Sequence, residues 1–109
     1  MKNLLILVLI VIGLGAQAQK SRVVTAYNYS KPGNQQLDKA KEEIDKATTH
    51  EKTAQWAKTW YYRGIIYQQL YETKNEAYKA LHENPLHVAI ETFAKSVEFD
   101  EKGRYKNDV

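Results

Sequence analysis

A handful of residues in this 109-residue chain have types that invite a chemical role: three histidines and two pairs of adjacent acids. His50-Glu51 opens the H-E-x-x-H pattern, in which two histidines one helical turn apart hold zinc and the glutamate acts as general base, but its closing position is Ala54. The second ligand is missing. His82 and His87 are five residues apart, which turns them roughly 140° from one another on a continuous helix, so they do not form a metal pair. Glu42-Glu43 and Asp100-Glu101 are neighbours in sequence, and a helix points such neighbours in different directions rather than across a common cleft. No cysteine nucleophile, glycine-rich phosphate loop or G-x-S-x-G elbow is present. The reading is therefore a non-enzymatic protein for which no cofactor and no metal is expected.

The elements that would have to position such groups begin after a leader. Met1 to Gln19 reads MKNLLILVLIVIGLGAQAQ: a lysine at Lys2, an apolar run from Leu4 to about Leu14, then Ala16-Gln17-Ala18. That is the pattern of a secretory signal peptide over 1–18, cleaved after Ala18. A retained anchor is the alternative, but the run is well short of the ~20 residues needed to span a bilayer. The expected compartment is the periplasm or the exterior, with no stable membrane insertion after cleavage.

Without Lys2, fifteen Lys and Arg face thirteen Asp and Glu, a net charge of about +2. The charges are mixed along the chain and no basic cluster exceeds a pair, which argues against a nucleic-acid partner. An exported chain without cysteine has no disulfides to stabilise it and must rely on packing. The roughly ninety residues from Gln19 onward suffice for one modest domain.

That domain reads as all-α, because no stretch alternates apolar and polar residues with the period of two that a half-buried strand needs. A first helix is predicted from about Lys20 to Tyr29, with Val23, Ala26, Tyr27 and Ser30 giving the periodicity, and Lys31-Pro32-Gly33-Asn34 ends it. A second is predicted from about Gln35 to Thr48, capped by Asn34. Its stripe is Leu37, Ala40, Ile44 and Ala47, with Asp38, Lys41, Glu42 and Lys46 lying away from it. Thr48-Thr49-His50-Glu51 has the spacing of a capping box for a third helix, predicted from about Thr53 to Glu72.

Along that third helix Trp56, Trp60, Gly64, Tyr67 and Tyr71 share one side and Ala57, Tyr61 and Ile65 the next, so it is expected to lie between two neighbours. Thr73 to Glu83 is expected to be a partly helical insertion. Asn84-Pro85 opens a fourth helix with the asparagine as cap and proline at the first helical position, ending near 100–103. Its predicted apolar side is Leu86, Ala89, Ile90, Phe93, Val97 and Phe99.

These helices form two pairs. Ala40, Ile44 and Ala47 share a small-x3-large-x2-small spacing with Ala89, Phe93 and Ser96. At Trp60, Gly64 and Tyr67 the chain resembles the tetratricopeptide repeat (TPR) family, whose helix-A pattern is W-x2-L-G-x2-Y, with Arg63 where leucine is usual; Ala89 and Phe93 resemble its helix-B pattern A-x3-F. In the first pair Ala26 and Tyr29 occupy the glycine and tyrosine positions, and Arg22 the tryptophan position. The closing proline is replaced by Glu101. Ala40 and Ala89 stand 49 residues apart against a family period of 34, an insertion of about fifteen residues, most of it between Tyr67 and Ala89.

The resemblance implies antiparallel helix pairs stacked as a short solenoid over 19–109, with two degenerate repeats and the insertion at about 73–83. It assigns packing roles to Ala26, Tyr29, Ala40, Ile44, Trp60, Gly64, Tyr67, Ala89 and Phe93, Gly64 being small so that a partner helix can come close.

It further implies a concave groove lined by helix-A residues, here Val23 and Tyr27 from the first pair and Lys58, Tyr61, Ile65, Gln68 and Gln69 from the second. Such a surface suits an extended peptide or an amphipathic helix, giving a protein-interaction scaffold. The same residues would also suit packing against further repeats of the same protein, since such arrays generally need three or more units. Leu86, Ile90, Phe93 and Val97 are expected to form an exposed apolar edge, completed by a longer chain, by self-association or by a partner. A different class is a carbohydrate or small-ligand binder, with Trp56, Tyr61, Tyr62 and Tyr78 stacking on sugar rings.

Overall fold

The computed structural model describes residues 17–33 and 35–100. The apolar leader segment from Leu4 to Leu14, the expected cap Asn34, and the acid and tail positions beyond Asp100 lie outside the described residues; Gln17 and Ala18, at the expected cleavage site, belong to the first helix. The described residues are all-α, with no strand among them, and none of their helices is long and apolar enough to cross a membrane.

Helix α1 is helical over 17–30 and buries Val23, Ala26 and Ser30, spaced three and four residues apart so that they face one way. The Ser30 hydroxyl donates to the Tyr27 carbonyl at 2.6 Å. The chain then reverses through Gly33, whose φ of 96° is a left-handed conformation that a residue with a Cβ rarely adopts. Helix α2, Leu37–Ala47, buries the predicted stripe of Leu37, Ala40, Ile44 and Ala47. Gln36 occupies its cap position without a side-chain hydrogen bond.

The predicted capping box does not form. Thr48 closes α2 instead of opening the next helix: its hydroxyl donates back to Asp45 O at 2.6 Å, that of Thr49 to Lys46 O at 3.2 Å, and that of buried Thr53 to Ala47 O at 2.8 Å. The last carbonyls of a helix have no intrahelical partner, and three consecutive-turn hydroxyls supply it here. Residues 49–55 are turns, and α3 starts at Ala57 rather than Thr53, with Trp56 in an extended conformation as its cap.

Helix α3, Ala57–Glu72, ends where expected and is the centre of the molecule. It buries Ala57, Thr59, Gly64, Ile66, Tyr67 and Leu70, which are spread over most of its circumference because neighbours lie on two sides. Tyr71, expected on the packed side, is 55 % exposed at the final turn. Ile66 packs with Val23, Ala26, Ala40, Ile44 and Ala47 in one core cluster; Tyr67 and Leu70 pack with Leu37 and Ala89 in a second.

The segment between α3 and α5 contributes a single helical turn, α4 (Glu76–Lys79), capped by Asn75 Oδ1, which accepts from Tyr78 N at 3.1 Å. Tyr78 and Leu81 fold onto the second core cluster.

Helix α5, Pro85–Glu98, begins with Pro85 as predicted, but Asn84 makes no side-chain cap bond. It packs chiefly on α3. It buries Ala89, Thr92 and Ser96, while Leu86, Ile90 and Val97 are 40, 62 and 37 % exposed, as expected of the apolar edge; Phe93, expected on that edge, is instead half-buried. The reason is the short distance between the helices. A Cβ added at Gly64 would lie 2.5 Å from the Phe93 ring, so only small residues on α5 fit against α3 on either side of that crossing.

Candidate functional site

The groove-facing residues on α3 form one outward arc. Lys58, Tyr61, Ile65 and Gln69 are half-buried there and Gln68 is exposed. They fall about 100° apart per residue on the side of α3 turned away from Ile66, Tyr67 and Leu70. From α1 only Tyr27 joins them, half-buried, with its ring stacked on Tyr62 at a centroid separation of 4.2 Å and 15° between planes. Val23 does not: it is fully buried in the core with Ala26 and Ile44, because the face it shares with Ala26 is the one α1 turns to its neighbours. Tyr62, not assigned to the groove from the sequence, is the ring that joins the two helices.

Around this stack the charges and amides have definite positions. Lys58 Nζ lies 5.4 Å from the Trp56 ring and 5.8 Å from that of Tyr62; Lys20 Nζ lies 5.1 Å from Trp56, and Lys31 Nζ 5.1 Å from Tyr27. Ammonium groups at these distances are held by the negative faces of the rings. Tyr61 touches both Tyr62 and Phe93, with centroids 6.0 Å away in each case. Gln69 Oε1 accepts from Gln35 Nε2 at 3.4 Å, and Gln68 Nε2 donates to Glu72 at 3.3 Å. Beside Trp56 the surface continues into a shallow depression lined by Lys20, Ser21, Val24 and Thr25.

A second constellation lies half-buried between the helices. The Asp45 carboxylate accepts from Lys41 Nζ at 3.0 Å, from Arg63 Nε at 3.0 Å and from the Tyr67 hydroxyl at 2.9 Å, while Arg63 Nη1 donates to Thr92 Oγ1 at 3.1 Å. One network thus ties α2, α3 and α5 together. Lys41, expected to lie away from the packed stripe, is part of it. Burial, then the charge and hydrogen bond of Asp45, push the Tyr67 hydroxyl above its usual range. Burial alone would lower Lys41, but the hydrogen bond and charge of Asp45 outweigh it and raise this group too. Both groups therefore hold their protons, and Asp45 spends its acceptor capacity on three donors.

Asp45 was not singled out from the sequence. The available signal was Arg63, a charge at a position where an apolar residue is usual and flanked by packed residues, which calls for an acid nearby. Thr59 is fully buried with no hydrogen-bond partner for its hydroxyl, and no sequence signal marks it.

The packing residues behave less uniformly. Ala26, Ala40, Ile44, Gly64, Tyr67 and Ala89 are buried; Tyr29, Trp60 and Phe93 are half-buried. Trp60 packs on Phe99 at 6.3 Å and donates from Nε1 to Ala54 O at 2.8 Å. The histidines serve local structure: His50 Nδ1 accepts from Lys52 N, His82 Nδ1 accepts from Asn84 N and its ring meets Tyr67 edge-on, and His87 pairs with Glu91 at 3.0 Å. Among the described residues no group of three His, Cys, Asp or Glu is arranged to hold a metal. No protein-family model, no curated protein and no solved structure matches the chain.

Proposed function

We propose that this chain is an exported, non-enzymatic interaction module of the TPR type, which holds a segment of a partner protein in the groove formed by Tyr27, Lys58, Tyr61, Ile65, Gln68 and Gln69. The observation that carries the reading is the continuous aromatic and amide surface across α1 and α3, anchored by the Tyr27–Tyr62 stack. Rigid aromatic area edged by hydrogen-bonding groups is the composition of protein-recognition surfaces. The leader, Lys2 through Ala18, supports export to the periplasm or exterior.

Tyr61 and Ile65 are central to the surface and sit opposite the buried face of α3, so replacing them alters the groove without opening the core. Immobilised Gln19–Val109 is expected to retain an envelope protein that the Tyr61→Ala and Ile65→Asp variants release while keeping the helical circular dichroism of the parent. Equal retention by parent and variants would remove the groove from the mechanism.

A further inference from the structure

Apolar side chains left in water are unevenly distributed over the molecule. Among the described residues five large ones are exposed: Val24 on α1, Tyr71 at the end of α3, and Leu86, Ile90 and Val97 on α5. At about 100° per residue, Leu86, Ile90 and Val97 fall together with exposed Ala94 inside an arc of roughly 80°, a stripe running the length of α5. Exposed His87 and Glu98 border the stripe on one side and half-buried Phe93 on the other. A continuous apolar stripe of this kind is the form of a helix face that a second helix covers.

The internal repeat shows how such a face is used. Forty-nine residues earlier, Leu37 packs with Tyr67 and Leu70, Ile44 packs with Ile66, and Lys41 and Asp45 make the polar set that receives Arg63 and Tyr67, so that α3 covers α2. On α5 the counterparts are Leu86, Phe93, Ile90 and Ala94. The face keeps its apolar members and loses both charges. A helix like α3 would bring a guanidinium and a phenol onto it with nothing to receive them, which is costly once water is excluded. The face calls for an apolar helix.

Helix α1 of another copy does not supply one, because Lys20, Ser21, Arg22, Thr25 and Asn28 are exposed around Val24. Helix α5 does, and its stripe matches itself. We infer that α5 of a second copy of this chain closes the face, the two helices lying antiparallel about a two-fold axis that crosses α5 between Glu91 and Thr92. That axis sets Leu86 opposite Val97 of the second copy and Ile90 opposite Ala94, so in each pair a larger side chain meets a smaller one, and all four positions are matched at one register.

The same axis brings His87 within one helical turn of Glu98 of the second copy along the same border, so the rim pairs a basic with an acidic group. Because one patch serves both copies, association closes at two; a head-to-tail contact needs an apolar counterpart on α1 and does not close. Four side chains per copy cover less than the ~800 Å² that each partner gives to a standard interface, so a dissociation constant on the order of 10–100 µM is expected. The inference does not use the groove of α1 and α3.

The measurement is sedimentation equilibrium of Gln19–Val109 from about 1 µM to about 1 mM, which brackets that constant. The mass is expected to rise from that of one chain to that of two and no further. Ile90→Glu, at a position open in the single chain, should keep the helical circular dichroism of the parent and weaken association at least tenfold, while Val24→Glu on α1 leaves association unchanged. Since the chain has no cysteine, disulfides can report the register. Leu86→Cys and Val97→Cys variants should cross-link when mixed and not when each is oxidised alone, because the antiparallel pair holds like positions roughly 17 Å apart along the axis. A folded chain that stays monomeric at the highest concentration, masses that climb past two chains, an Ile90→Glu variant that associates like the parent, or like-with-like disulfides that outpace the mixed one would overturn the inference.

Discussion

Helix α3 is held on two sides by different physics. Against α2 the apolar packing of Ile66 on Ala40 and Ile44 is joined by a directional polar set: Arg63 and Tyr67 reach across to Asp45, at 3.0 and 2.9 Å, with Lys41 closing it. Against α5 the contact is mainly steric, with Phe93 seated over Gly64 and the small residues Ala89 and Ser96 alongside, and Arg63 Nη1 adds one hydrogen bond to Thr92 Oγ1. A polar network specifies one register, because a shifted helix would leave partly buried charges unpaired. A steric fit specifies a distance of approach and tolerates what does not intrude on it. Replacing a residue in each interface should therefore give different signatures.

The largest effect is expected at the steric contact. Gly64→Leu drives a side chain into space that the Phe93 ring already occupies, and overpacking of this kind typically costs 1–3 kcal/mol. Leucine regains almost 1 kcal/mol in helix propensity, leaving a net loss of about 2 kcal/mol. For a domain of this size that lowers the melting temperature by roughly 10 °C, followed by circular dichroism. An unchanged melting curve would remove the close-approach account of Gly64.

Asp45→Asn comes next. It keeps the shape of the side chain but withdraws the charge from Arg63 and Lys41, which are about a fifth and a quarter exposed, so the pairs are weaker than fully buried ones. About 1.5 kcal/mol of lost stability in urea titration is expected. If Asp45→Asn instead exceeded Gly64→Leu, the polar side would be the dominant constraint on α3.

The third expectation concerns pH. Tyr67 and Lys41 both have raised pKa values in the folded chain, so unfolding releases protons from them once the unfolded groups begin to titrate, near pH 10. Their contribution is complete below that pH and is lost as pH rises through the folded values, so stability falls on the alkaline side. Tyr67→Phe removes one hydrogen bond to a charged acceptor, lowering stability at neutral pH by about 1 kcal/mol and flattening the alkaline decline. An alkaline limb equally steep in parent and Tyr67→Phe would show that the network does not report on pH.

The smallest effect belongs to α5's outer side. Counting 49 residues along, Leu37, Lys41, Ile44 and Asp45 correspond to Leu86, Ile90, Phe93 and Ala94. The α2 set faces α3; on α5, Leu86 and Ile90 are exposed. Ile90, at 62 % exposure, contributes little to the fold of the single chain, and at dilutions where the chain is monomeric Ile90→Glu should change its stability by no more than about 0.5 kcal/mol. A larger loss at higher concentration would mean that this side is covered in solution, and light scattering across concentration would then report the mass of the assembly.

The segment between α3 and α5 illustrates how a local signal and a tertiary contact combine. Thr73 to Glu83 carries enough Ala, Tyr and Leu to predict partial helix, and the structure contains one turn there. That Tyr78 and Leu81 close one end of the core is a packing fact with no sequence spacing to reveal it. The residues of the proposed groove show the same division. Tyr27, Tyr61 and Ile65 are half-buried, whereas Val23, three residues from Ala26, is placed in the core by the side α1 turns to its neighbours.

By itself the sequence determined the all-α class, the Leu37–Ala40–Ile44–Ala47 stripe, the start of α5 at Pro85 and the end of α3 at Glu72, because periodicity, proline and chain polarity act within a few residues. Only the tertiary structure decided that Asp45 answers Arg63, that Thr92 accepts from Arg63 on the buried side of α5, and that Phe93 is drawn in over Gly64. Those outcomes depend on partners 18 to 29 residues away or on how closely two helices approach, and the sum of local preferences contains neither.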